Sequence, residues 1–121
     1  MFDLTTEEAR LLLKIALMAT GANRFQSSER ILSALERFRP GHESVQVARA
    51  VMLLSALDYT GAVRYIDEIA MPNHPDSGML RVFKGLALIK LARRDEAMPI
   101  LSEATESTDP VAARMARDMM Q

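Results

Sequence analysis

An all-α fold is what this chain predicts, from a helix-former composition, a self-similarity of 34 to 35 residues, and a polar turn before an amphipathic helix in every copy. Apolar residues make up 49% of the chain but aromatics only 5%, with abundant Ala, Leu and Met in place of the Val, Thr and Tyr that sheets favour. A length of 121 residues suits a single domain with a real core. Slid against itself, the chain aligns as Ala9 to His42, Glu43 to Ser77, and Gly78 to Asp109, followed by a last segment, 110–121. NRFQSSERILSAL, LDYTGAVRYIDEI and ARRDEAMPILSEA then fall in register, each a polar turn, a small residue and an amphipathic helix.

Each element has a local reason. Thr5 with Glu8 three residues on is a capping-box pattern that starts the first helix, ARLLLKIALMA. The second, SSERILSALERF, turns Ile31, Leu32 and Leu35 inward and Glu29, Arg30, Glu36 and Arg37 to water. VQVARAVMLLSAL follows, and after it the helix opened by the Asp-Tyr-Thr-Gly turn at 58–61. GMLRVFKGLALIKLA is the fifth helix. Asp95 is expected to cap the sixth, which places Pro99 in or beside its first turn, where a missing N–H costs little. Asp109-Pro110 opens the last helix, whose Met115 and Met119 share a face and read as core filler.

A helix-turn-helix unit of this period resembles the tetratricopeptide repeat. Small residues stand at its eighth position (Ala16, Ala50, Gly85) and its twentieth (Ser28, Ala62, Ala97). The large core residues are Leu32, Ile66 and Leu101 at the twenty-fourth, and Leu35, Ile69 and Ala104 at the twenty-seventh. Pro40 ends the first repeat where the family has its proline. The fourth position departs, with Leu12 in the first repeat but Gln46 and Arg81 in the others. The resemblance implies a right-handed superhelical stack of three hairpins with a capping helix, forming one domain.

The first helix of each repeat is apolar on nearly every side, which a three-repeat stack does not bury by itself. Carrying over the family's groove positions gives Leu13 and Leu17, then Val47, Val51 and Leu54, then Met79, Val82, Phe83, Leu86 and Ile89. Such a trough exceeds the apolar patch a soluble monomer usually tolerates, and an amphipathic partner helix fits it. The alternatives are the core of a compact bundle closed by the last helix, or self-association that hides the face. Arg10, Lys14, Arg49, Arg81, Lys84 and Lys90 have no acidic companion between residues 10 and 22, 44 and 57, or 78 and 92; Lys14, Arg49 and Lys90 are candidate rim cations for a partner with acidic flanks. Solvated cations that keep apolar helices in solution are the equal alternative.

Other chemistry is disfavoured. A net charge of -1 gives no field to gather nucleic acid, and no apolar run approaches the roughly 18 residues of a membrane span. The chain has no cysteine, so there is no disulfide framework or thiolate nucleophile. Asp3, Glu7 and Glu8 stand where a signal peptide needs basic residues, so a cytoplasmic protein is expected. His42 and His74 lie in inter-repeat turns, and the His-Pro-Asp tripeptide at 74–76 reads as turn chemistry. No base partner is implied for any Ser or Lys and no phosphate loop is present, so neither enzyme nor cofactor is expected. The apolar groove positions also rule out a carboxylate clamp for acidic chaperone tails.

LLLKIALMATG (11–21), LLSALDYTGAV (53–63) and STDPVAARMARDMM (107–120) together resemble the larger needle-subunit chaperone of bacterial type III secretion, the YscG class. The resemblance implies a cytoplasmic protein that holds the amphipathic C-terminal helix of a secreted needle-subunit protein in its apolar groove and stops premature polymerisation. It further implies a small helical co-chaperone near the first repeat, completing a heterotrimer. A translocator-class secretion chaperone and a general interaction scaffold are the alternatives.

Overall fold

The computed structural model describes residues 4–121, and every regular element among them is helical. Asp3 lies outside the described residues. In chain order the helices are α1 (Thr6–Gly21), α2 (Phe25–Phe38), α3 (Glu43–Ser55) and α4, which starts as Tyr59–Tyr65 and continues through a π-helical turn, Ile66–Ala70, into Met71–Asn73. They are followed by α5 (Gly78–Lys90), α6 (Arg94–Ala104) and α7 (Pro110–Met119). No helix among the described residues is long and apolar enough to cross a membrane.

The helix starts follow short-range chemistry. The Thr5 N–H donates to Glu8 Oε1 at 3.0 Å and the Glu8 N–H to Thr5 Oγ1 at 3.1 Å, completing the capping box of α1. Those bonds, the backbone one first, hold the Glu8 carboxyl below its ordinary range. Asp58 accepts from the Gly61 N–H at 2.9 Å, Ser77 from the Leu80 N–H at 3.2 Å, and Asp109 from the Val111 N–H at 2.9 Å. The start of α6 differs from the expectation: its cap is Arg93, not Asp95, and Pro99 sits inside the helix. The first turn is held by Arg93, whose Nε and Nη2 donate to Glu96 at 2.6 and 2.7 Å. Beginning the helix two residues early leaves Pro99 in its second turn, where both its missing N–H and its ring against the Asp95 carbonyl are unfavourable.

The repeat is written into the backbone. Asn23, Leu57 and Ala92 have φ of 61°, 64° and 62°, the only non-glycine residues in the left-handed region among those described. They are spaced 34 and 35 residues apart. Each follows the last turn of a first helix, with Ala22, Ala56 and Leu91 as the preceding caps. Arg39 (φ -135°, ψ 66°) and His74 (φ -136°, ψ 66°) repeat one another after the second helices, 35 residues apart.

The second copy thus holds one residue more than the first, and the π turn is where it goes. Leu32 and Ile66 match at a spacing of 34, and both are buried. Past the wide turn the match is Leu35 with Ala70, at a spacing of 35, and both are again buried. Ile69, expected inside, is 49% exposed. The added residue turns the helix by about 100°, which carries Ile69 out of the core and brings Ala70 in.

Contacts gather the chain into two compact units, one ending at Leu57 and one running Asp58–Gln121. In the first, α3 packs on both α1 and α2. The core joins Ala16, Leu32, Leu35, Val45, Ala48 and Met52, and a Thr20–Ser28 hydroxyl pair at 2.8 Å satisfies two buried polar groups where α1 meets α2. In the second unit α4 packs on α5, and α7 packs on both α5 and α6, as α3 does on its hairpin. Leu88, Ala97, Leu101, Ala104, Ala112 and Ala116 make its centre. Gly85 lets α5 and α6 touch, since a Cβ there would stand 2.5 Å from Leu101 Cδ2. Met115 and Met119 pack against this core half-buried.

Candidate apolar docking faces

The groove residues divide by how far each is turned from its core. On α3, Val47, Val51 and Leu54 follow an i, i+4, i+7 spacing that keeps them within a narrow arc of the helix, and all three are half-buried. On α5, Met79, Phe83 and Leu86 repeat the spacing and are also half-buried. Val47, Val51, Leu54, Phe83 and Leu86 belong to neither core cluster, whereas Leu13, Met79 and Ile89 lean against the cores. Leu17 is exposed. Val82 is the exception: it is wholly buried in the second unit's core. One position before Phe83, it is rotated by about 100° from that side chain and faces inward, so it supports the α5 face from beneath.

The cationic rim is smaller than the sequence implied, because neighbouring helices supply the acids. Arg49 is ion-paired with Glu29 of α2, so Glu29 does not simply face water, and its Nη2 reaches Ser33 Oγ at 3.4 Å. In the second unit Lys84 pairs with Asp67 at 2.6 Å, and Arg81 with Glu103 at 3.2 Å. These two pairs flank a cavity of about 270 Å³, leaving its charges matched from within. Lys14 and Lys90 are exposed, without an ion-pair partner among the described residues. Arg93 is the first cause holding the Glu96 carboxyl below its usual range, and that pair too is internal to α6.

A further apolar stripe lies outside the groove positions that the sequence suggests. Leu11, Ile15 and Met18 on α1 are exposed, Met18 by 66%, and their i, i+4, i+7 spacing places them opposite the buried Ala16 and Thr20. Beyond Lys14, helix α1 is apolar on nearly every side, so its pattern there does little to separate a core face from an outer one. Leu57 is exposed as well, by 70%.

Among the described residues, no three His, Asp or Glu side chains come together as a metal site would require. Comparison with protein-family models, with curated proteins and with solved structures returns no match.

Proposed function

We propose that the protein is a binding module rather than an enzyme, a tetratricopeptide-like chaperone that buries an amphipathic helix of a secreted protein. The observation that carries this is the pair of half-buried apolar faces, Val47, Val51 and Leu54 on α3 and Met79, Phe83 and Leu86 on α5, at the spacing a partner helix presents. Fully burying a Val or Leu contributes about 1.5–3 kcal/mol of transfer free energy before the costs of association, and each of these half-buried side chains adds the remaining part of that. Following the resemblance of 11–21, 53–63 and 107–120, the client is the needle subunit of a type III secretion apparatus, held in the bacterial cytoplasm until export. The exposed α1 stripe of Leu11, Ile15 and Met18 gives a small helical co-chaperone a separate place to dock.

The mechanism is competitive burial. A client helix that would otherwise pack against another subunit is covered by such a face and is unavailable for polymerisation. The test is an affinity capture of the tagged protein from its native bacterium, with Val51→Asp and Leu86→Asp beside it and mass spectrometry of what co-purifies. The expected result is a small secreted helical protein retained by the wild type and lost by both variants at unchanged helix content, because each places a charge on an apolar contact. Retention of the same client by both variants overturns the docking faces; a client set without any secreted protein overturns the secretion reading.

A further inference from the structure

Within the first unit, the start of α1, the end of α2 and the start of α3 enclose a part-open cavity of about 200 Å³. Its two kinds of wall differ sharply. Leu13, Leu35 and Val45 supply an aliphatic floor, whereas Arg10, Arg39 and His42 line it with cationic or proton-donating groups. No acidic side chain is among its lining residues. Arg39 donates from Nη2 to the Leu4 carbonyl at 3.1 Å, which fixes the guanidinium at one corner. Arg10 has no ion-pair partner among the described residues. Helix α3 begins in the same cavity without a side-chain cap, in contrast to the capped starts of α1, α5 and α7, so its first amides and the Ser44 hydroxyl remain donors.

We propose that this cavity captures the C-terminal carboxylate of a partner polypeptide whose last side chain is aliphatic. The volume is below the roughly 300–1,000 Å³ of ordinary small-molecule sites, and leaves room for little more than one residue. The guanidinium fork matches a carboxylate in a way that a single ammonium does not. Bare phosphate would leave the aliphatic floor unfilled. A chain terminus satisfies both halves at once, with its side chain on Leu13, Leu35 and Val45 and its carboxylate between Arg10, Arg39 and the first turn of α3. The site is defined by its own chemistry and does not depend on the identity of the client in the preceding section.

The experiment is a titration of the full-length, isotope-labelled protein with N-acetyl-leucine, with its C-terminal amide and with inorganic phosphate, following the backbone amides of Ser44 and Val45. The acid is expected to give saturable shifts at these amides, with the uncharged amide at least about tenfold weaker because the charge-assisted bonds are gone. Arg10→Gln, a change at an exposed side chain, is expected to weaken the acid several-fold at unchanged helix content, and phosphate is expected to be a poorer ligand than the acid. Equal binding of acid and amide, or an acid affinity unmoved by Arg10→Gln, overturns the carboxylate site. Phosphate matching the acid overturns the chain-terminus assignment and leaves a free-anion site.

Discussion

A leucine that is 70% exposed and held at φ 64° is unfavourable twice over, since its apolar surface meets water and its Cβ crowds the backbone. Leu57 occupies that position, and Asn23, one repeat earlier, shows what the turn itself would choose. Leu57→Asn is therefore expected to raise stability by about 0.5–1 kcal/mol, read as a higher urea midpoint at unchanged slope. A lower midpoint would mean that the side chain makes a stabilising contact which its exposure hides. At this scale the sequence was only half legible. Ala16, Ala50 and Gly85, the small residues of the eighth position, are all buried, and a Cβ on Gly85 would stand 2.5 Å from Leu101. Arg49 and Val82 were misjudged because the partner that decides each, Glu29 for one and the core around Leu101 for the other, sits on another helix and leaves no mark in the local pattern.

Among the elements, α4 is the one whose course a periodic pattern did not reveal. One extra residue inside a helix leaves every neighbouring side chain helix-compatible, so the alignment placed Ile69 in the core without penalty. The structure lodges the surplus in a π turn and buries Ala70 in its stead. Removing Ile69 should restore a 34-residue copy with Ala70 three positions after Ile66, as Leu35 follows Leu32. The deletion variant is expected to keep its helix content, with a melting temperature within a few degrees of the parent, since the exposed residue contributes little burial. Cooperative unfolding lost at room temperature in that variant would show that the π turn is required rather than tolerated. Pro99 carries a related lesson: proline marked a helix start by statistics, while the helix begins two residues earlier, beside the doubly bonded Arg93–Glu96 pair.

For the whole molecule, the all-α class followed from composition and period, which depend on every residue at once and survive local departures. Surface exposure did not, because α1, α3 and α5 are apolar on several faces and only packing tells which of them is left over. Leu11, Ile15, Met18 and Leu17 all remain exposed on α1. Made alone, the protein is expected to self-associate, with a sedimentation-derived mass that rises with concentration, and a Leu11→Asp, Met18→Asp double variant should lower that tendency at unchanged helix content. A wild-type chain that stays monomeric and monodisperse across the range would refute the expectation.

The unit that repeats in the chain and the unit that packs are out of phase by one helix. Helix α3, written as the beginning of the second copy, completes the hairpin of the first, and α7 does the same for α5 and α6 at the other end. A gene segment copied or lost at the textual boundary near His42 would therefore separate α1 and α2 from the helix that covers them. An exchange at Leu57–Asp58 would carry each covering helix along with its hairpin. Recombination that preserves folding is thus expected at the turns inside the copies, where a crossover leaves each unit with its covering helix.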